Sequence, residues 1–262
     1  DGYAGVWHLG ETAGAVLDSS SNGVTGSASG GLVRASSGYI GRGLQWPSST
    51  VNDYVIYNTN TLLGITGQMT IQAWVRTSAG GSQSIMARFR NGAPWEGYDF
   101  NLGQNGGAGK LSYWGGTVWV GSSSSRTYND GVWHLLGVVH QADGNFRLYA
   151  DGVQDGNMLS EGLLNVYPGA TAYLGRCSDV QRPFTGDMDE VRISRAACSS
   201  NWMWAAWMNM ASNSAFGTPG PVQTQITTFW YVKTDGNDSA DGTNWATAFQ
   251  TIRLGSSPDA YS

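Results

Sequence analysis

One stretch near the middle of the chain, Asp130–Gly152, places the strongest constraint on its fold; it reads DGVWHLLGVVHQADGNFRLYADG. Val132–His140 is a continuous apolar and β-branched run, and Phe146–Ala150 alternates apolar with polar residues, as a strand with one buried face does. The intervening Asp143-Gly144-Asn145 has the composition of a tight turn, because glycine reaches positive φ without strain. A strand that is apolar on both faces must lie between two layers, so this stretch predicts a β-hairpin within a β-sandwich.

The remainder of the chain up to residue 195 shows strand periodicity and no helical periodicity. The exception follows directly: Ser199–Met210, SSNWMWAAWMNM, repeats its apolar residues at three- and four-residue spacing. Ser199 or Ser200 could cap the start of this helix. We therefore expect an all-β fold of two packed antiparallel sheets with one short C-terminal helix.

Three motifs resemble one family. GVWHLGE with VLDSSSNG opens the chain between Gly5 and Gly23, the hairpin stretch follows, and FTGDMDEVRISRAA occupies Phe184–Ala197. In this order they resemble the laminin G-like modules of the concanavalin A-like lectin/glucanase superfamily, as found in bacterial extracellular proteins. The resemblance covers roughly residues 1–215. It implies a jelly-roll β-sandwich and an extracellular or cell-surface location.

Composition divides the chain into three segments. We expect the jelly-roll domain over residues 1–211 and a Ser/Thr/Pro/Gly-rich linker over residues 212–228. Residues 229–262 resemble the N-terminal edge of a pectate-lyase-like parallel β-helix, truncated after its first turn. A solenoid needs several repeats to bury a core, so we expect this edge to be poorly ordered or docked by its aromatic residues. The chain also begins abruptly and ends within a pattern, as a piece of a longer protein would.

Charge and hydropathy limit the partners. The net charge is −5 and the 14 basic residues are scattered, which argues against a nucleic-acid partner because phosphate binding needs clustered Lys and Arg. No apolar run approaches the roughly 20 residues of a membrane span, and no signal peptide is present.

The two cysteines, Cys177 and Cys198, allow two interpretations. They are either free buried thiols or one disulfide that ties the end of the strand 171–176 to the end of the strand 190–194. The extracellular character of the resembling family favours the disulfide, which would stabilise the fold by about 3 kcal/mol.

Catalytic motifs are lacking. The glucanases of the resembling superfamily carry Glu-x-Asp-x-x-Glu on one strand, and the nearest run here, Asp187-Met-Asp189-Glu190, has no glutamate in register. His8, His134 and His140 are the three histidines, and packing or a satisfied hydrogen bond explains them best. There is no Gly-x-Ser-x-Gly elbow. We therefore predict that the chain is not an enzyme.

Structural calcium is implied by the resemblance. Many members of that superfamily hold one Ca²⁺ on the convex side through an early carbonyl, a glycine carbonyl and the aspartate that opens the last core strand. Carried over to this sequence, the aspartate is Asp189 and the glycine is Gly43, with the third ligand somewhere in Trp7–Glu11. The alternative is that Asp189 only caps a turn or pairs with Arg192.

Sugar binding is expected from aromatic side chains exposed in loops or on a concave sheet, with polar groups beside them. Trp95 and Tyr98 lie in a Gly/Pro loop in which burial is hard to arrange. The predicted sugar-binding residues are Trp95, Tyr98, Trp114, Trp119 and Arg88. The alternative places most tryptophans in the core, and we accept it for Trp74 and Trp133.

The function that these observations predict is a non-catalytic carbohydrate-binding or adhesion module of a larger secreted bacterial protein. Its partners would be a polysaccharide or other glycan and the neighbouring domains of the same polypeptide. The alternatives are a structural spacer or protein-interaction module and, less favoured, a divergent glycan-cleaving enzyme. Exposed aromatic residues in a groove would favour binding, and two carboxylates about 5 to 9 Å apart in a groove would favour the enzyme.

Overall fold

The computed structural model describes residues 2–104, 107–116, 123–212, 232–237, 239 and 245–248. The chain divides into two units, Asp1–Gly217 and Thr218–Ser262. All of the predicted linker except Ser212, and most of the predicted β-helix edge, lie outside the described residues.

The regular secondary structure in the described part of the first unit is almost entirely β-strand. They are β1 Tyr3–Trp7, β2 Ser27–Ser29, β3 Val33–Ser37, β4 Arg42–Trp46, β5 Tyr54–Ile56, β6 Met69–Arg76, β7 Gln83–Phe89, β8 Gly97–Leu102, β9 Lys110–Gly115, β10 Ser123–Thr127, β11 His134–His140, β12 Asn145–Ala150, β13 Val153–Gln154, β14 Leu159–Ser160, β15 Ala172–Leu174 and β16 Gly186–Ser194. The helix α1 is Ser200–Ala211, and short 3-10 helices lie at Thr61–Leu63 and, in the second unit, at Trp245–Thr247.

Two antiparallel sheets form the sandwich. The nine-stranded sheet has the order β13-β12-β11-β6-β16-β4-β3, with β1 paired to β16 and β14 paired to β12. The seven-stranded sheet has the order β10-β9-β8-β7-β15-β5-β2. Strands that are distant in the sequence are neighbours in both sheets, as in a jelly roll. The predicted all-β, two-sheet antiparallel sandwich is therefore confirmed.

The predicted hairpin lies where the sequence placed it. β11 pairs with β12 so that Val138 faces Leu148, and both belong to the core between the sheets. Ile71, Ala73 and Val75 of the adjacent β6 join the same core, as their alternation predicted. Both faces of β11 are apolar because its other face, at Val139, is covered by α1.

Helix α1 covers the outer face of the nine-stranded sheet. Ser199 caps it, with its hydroxyl accepting the N–H of Trp202 at 3.2 Å. Met203 packs on Val139 and Tyr149, above Gly137, where a Cβ would lie 2.6 Å from the Met203 methyl carbon. The predicted C-terminal helix is confirmed. Among the described residues, no helix is long and apolar enough to span a membrane.

The predicted disulfide is wrong, because Cys177 and Cys198 are both free thiols. Cys177 packs with Ala87, Phe89 and Trp114 on the outer face of the seven-stranded sheet. Cys198 packs beneath α1 on the outer face of the nine-stranded sheet. The entire sandwich core separates the two sulfur atoms, so no rotamer change could join them.

Candidate ligand-binding site

A pocket of about 340 Å³ opens on the outer face of the seven-stranded sheet. Strands β7, β8 and β9 form its floor, and the loops 90–96 and 175–185 border it. Its lining residues are Phe89, Trp95, Asp99, Gln104, Trp114, Asp179 and Arg182. This volume lies within the range of about 300–1,000 Å³ that is usual for small-ligand sites.

Strand alternation decides which side chains reach this face. In β8, Tyr98, Phe100 and Leu102 belong to the core, so Asp99 and Asn101 point outward. Cross-strand register then places Asp99 opposite Trp114 of β9 and opposite Ala87 of β7. A carboxylate and a large aromatic ring are thereby brought side by side on the outer face of the sheet.

The apolar wall of the pocket consists of three aromatic rings. Phe89 lies between the two tryptophans: its ring centroid is 5.6 Å from Trp114 in an edge-to-face arrangement and 6.3 Å from Trp95 in a tilted one. Phe89 and Trp114 are buried, whereas Trp95, in the loop between β7 and β8, is 46% exposed. An exposed tryptophan supported by buried rings offers a stable apolar surface to a ligand.

The polar floor centres on the buried Asp99. Its carboxylate accepts hydrogen bonds from Ser84 and Asn101 and forms an ion pair with Arg182, whose Nε lies 3.3 Å from Oδ2. Burial raises the pKa of Asp99 above its ordinary value, although Arg182 opposes this. Arg182 also lies 3.7 Å from Asp179, so one guanidinium is shared by both carboxylates of the pocket.

The loop that carries Asp179 and Arg182 has an unusual backbone. Val180 and Arg182 both adopt positive φ, at 62° and 51°, a conformation that costs about 1–3 kcal/mol for a residue other than glycine. Hydrogen bonds hold it: Ser84 N–H donates to Arg182 O at 2.9 Å, and Cys177 N–H donates to Gln181 O at 3.1 Å. Strain that is held in place by such bonds is common where side chains must be aimed at a ligand.

A family model described as Concanavalin A-like lectin/glucanases superfamily, of the laminin G type, matches residues 48–203, more than half of the chain. The chain belongs to this superfamily. The match includes every described residue that lines the pocket. A comparison with curated protein sequences gives no match.

Solved structures of the same fold include binding domains. The binding domain of Paraclostridial Mosquitocidal Protein 1 is 14% identical, with a TM-score of 0.61 over 81% of this chain and 53% of that one. Domain 4 of AbnA, an extracellular GH43 arabinanase from Geobacillus stearothermophilus in complex with arabinotriose, is 18% identical. Its TM-score is 0.57, and the match covers 77% of this chain and 96% of that one. A structure of botulinum neurotoxin type C, whose cell entry depends on two ganglioside molecules, is 12% identical. Its TM-score is 0.57, and the match covers 79% of this chain and 50% of that one.

These identities show the shared fold alone. The chain spans about half of the length of the mosquitocidal and neurotoxin structures and nearly all of the arabinanase domain. The superfamily fold therefore accounts for the sandwich, while the function must be argued from the pocket itself.

The structure brings together two of the five predicted sugar-binding residues. Trp95 and Trp114 both line the pocket, on either side of Phe89. Trp119 lies outside the described residues. Tyr98 and Arg88 are buried and face away from the pocket, so the expectation that they are exposed is wrong. Tyr98 points into the core, as Phe100 and Leu102 of the same strand do, and its hydroxyl donates to Leu63 O at 3.1 Å. Arg88 is the cross-strand neighbour of Tyr98 and therefore lies on the same inward face.

Five lining residues were missed by the sequence reasoning, namely Phe89, Asp99, Gln104, Asp179 and Arg182. A signal for Asp99 existed: extending the alternation of Phe100 and Leu102 back by two residues puts Tyr98 inside and Asp99 outside. No comparable signal exists for Asp179 and Arg182, because they reach the pocket from a loop about 80 residues away in the chain.

The predicted calcium ligands, Asp189 and Gly43, are neighbours across β16 and β4. The Asp189 carboxylate accepts the N–H of Ile40 and of Glu190, both at 2.8 Å, and burial raises its pKa to about 6. The described residues contain no group of three His, Cys, Asp or Glu that could hold a metal. Ca²⁺ takes six to eight oxygen ligands, of which Asp189 and Gly43 would supply only part. Calcium stays a prediction that thermal melting with CaCl₂ and with EDTA tests.

The histidines lie outside the pocket. His140 is buried in the core, where Nδ1 lies 3.3 Å from the Tyr113 hydroxyl, and burial lowers its pKa to about 4. His8 contacts Glu190 at 2.5 Å, and His134 contacts Asp151 at 2.7 Å. Each has a hydrogen-bonding partner, in agreement with the interpretation that they serve the fold.

Proposed function

We propose that this chain is a non-catalytic carbohydrate-binding module that holds a glycan in the pocket on the outer face of the seven-stranded sheet. The observation that carries the proposal is the exposed ring of Trp95, supported by Phe89 and Trp114, beside a polar floor in one concave site. Aromatic rings stack on the apolar face of a sugar, and a few polar groups then fix its hydroxyls. Gln104 and the carboxylate of Asp179 are placed to do so.

The structural neighbours support the same proposal. Domain 4 of the arabinanase was solved with arabinotriose, and the type C neurotoxin depends on gangliosides for cell entry. By analogy, we place this module in a larger secreted or cell-surface bacterial protein, where it would hold neighbouring domains on a polysaccharide. A pectate-lyase-like β-helix after residue 228 is part of this proposal.

A glycan-cleaving activity is the second candidate, since Asp99 and Asp179 both line the pocket. Binding is favoured over cleavage because both carboxylates are held by one guanidinium. Asp99 also accepts hydrogen bonds from Ser84 and Asn101, which suits a structural carboxylate better than a nucleophile. Release of new reducing ends from a bound oligosaccharide, abolished by Asp99→Asn, would establish the enzyme instead.

A glycan array probed with the whole chain tests the proposal. Trp95→Ala should weaken binding to any array ligand by at least about tenfold, or about 1.4 kcal/mol. Trp204→Ala is the matched control, because Trp204 of α1 is 47% exposed, as Trp95 is, and lies on the other sheet. If a folded protein binds no glycan, the module is a spacer; if both variants lose binding equally, the site is not this pocket.

A further inference from the structure

We infer that the pocket selects uncharged glycans and rejects those that carry a carboxylate, such as sialic or uronic acids. This inference rests on the proposed function. It follows from which charged groups line the pocket and from how they are already paired. Three ionisable residues line it, one cation and two carboxylates: Arg182, Asp99 and Asp179.

The single cation among the lining residues lies within ion-pair distance of both carboxylates. Arg182 Nε lies 3.3 Å from Asp99, and Nη2 lies 3.7 Å from Asp179. Its Nη1 donates to the Gln104 amide oxygen at 2.6 Å, with the amide oriented towards it. The side chain is 16% exposed. An acidic sugar would therefore have to take this guanidinium from partners that already surround it.

Taking Arg182 from Asp99 would be costly. Asp99 is buried, and Arg182 is the cation that opposes its desolvation. A buried carboxylate without its counter-ion is strongly unfavourable, and the incoming acid would add a like charge close to both aspartates. A neutral sugar, in contrast, brings no charge that competes for Arg182, so the ion pairs stay intact.

No other described cation lines the pocket. Arg88 is buried on the core face of β7, whereas the adjacent Phe89 lies on the outer face. Arg90 stacks on the ring of Tyr167 at 4.9 Å, and Lys110 donates to Ser125 O at 2.9 Å. The segments 105–106 and 117–122, which lie outside the described residues, contain no charged residue in the sequence.

Matched pairs of glycans test the inference: lactose against sialyllactose, and galactotriose against trigalacturonate, together with arabinotriose as a neutral probe. Titration of the whole chain, followed by tryptophan fluorescence, should show at least about tenfold tighter binding of the neutral member. Equal or tighter binding of the acidic member, lost in Trp95→Ala, would overturn the inference and leave the glycan-binding function standing. If no probe or array ligand binds, the function and the inference both fall.

A charge variant tests the cause. Asp179→Asn removes one of the two carboxylates that pair with Arg182. We expect this variant to shift the ratio of the two affinities towards the acidic glycan by about fivefold or more. Asp143→Asn is the control, because Asp143 lies in the exposed hairpin turn and its removal changes the net charge equally. An equal shift in both variants would show that overall charge, not the pairing of Arg182, sets the preference.

Discussion

His134 is a side chain in which charge and stability are directly coupled. Its Nδ1 lies 2.7 Å from Asp151, its Nε2 lies 3.3 Å from Asp130, and the ring of Tyr128 contacts it edge-on. The hydrogen bond to Asp151 raises the pKa of His134 and outweighs the opposing effect of burial. A histidine whose pKa rises on folding contributes stability below its unfolded pKa of about 6.5 and loses it as pH rises through the folded value.

We expect His134→Gln to lower the free energy of unfolding by about 1–2 kcal/mol at about pH 5.5 and by less at about pH 9, because a charged hydrogen bond is lost only at the lower pH. Urea denaturation at both pH values measures this. Asp151→Asn in the same assay should remove most of the pH dependence, because it removes the carboxylate that raises the pKa of His134. The backbone should not be disturbed, since asparagine tolerates the positive φ of residue 151. A loss that is the same at both pH values would contradict the charge coupling.

In each strand, the layers that cover its two faces explain which side chains are apolar. β8 sends Tyr98 and Phe100 into the core and Asp99 to the pocket, while β11 has no polar face because α1 covers its outer side. The helix is held by one deeply buried contact, Met203, which is 2% exposed. Gln72 also donates its amide N–H to the Met203 sulfur at 3.3 Å.

Met203→Ala should therefore lower the free energy of unfolding by about 2–4 kcal/mol, because it removes the side chain that fills the space between α1 and the sheet. Met158→Ala is the matched control: the same change at a 47% exposed site should cost less than about 0.5 kcal/mol. Chemical denaturation compares the two. A cost at Met203 no larger than that at Met158 would mean that the helix is not packed on the sheet as described.

At the scale of the whole sandwich, the described part of the first unit has two outer sheet faces with different coverings. The nine-stranded sheet is covered by a helix through apolar contacts. The seven-stranded sheet carries the loop 175–185, which leaves an open pocket with a polar floor. One face is thus covered by a helix and the other carries the pocket, and each holds one of the two cysteines.

Because the cysteines lie on opposite faces, thiol titration should detect two free thiols per chain in denaturant. In the native protein Cys177 should react slowly, since it is buried and its pKa is raised to about 12 by burial and by Asp179. A reducing agent should leave the melting temperature unchanged. Absence of free thiols in the denatured protein would show that a disulfide forms after all.

Local patterns predicted the elements well. The apolar run of β11, the turn before β12 and the cap at Ser199 each depend on residues close together in the sequence, and each lies where it was expected. The site was predicted less well. Trp95 was found because a tryptophan in a Gly/Pro loop is seldom buried, but Tyr98, only three residues later, already belongs to a strand whose inward phase was not recognised.

The sequence by itself determined the all-β class, the hairpin and the helix, because period and turn chemistry are local properties. The superfamily was predicted from the resemblance of three motifs and not from periodicity. Only the tertiary structure decided what the exposed face of the seven-stranded sheet can do. Asp99 meets Trp114 through strand register, and Arg182 reaches Asp99 through a strained loop from far along the chain. Cys177 and Cys198 are likewise far apart because they lie on the outer faces of different sheets. Contacts between distant segments of the chain leave no periodic signal in the sequence.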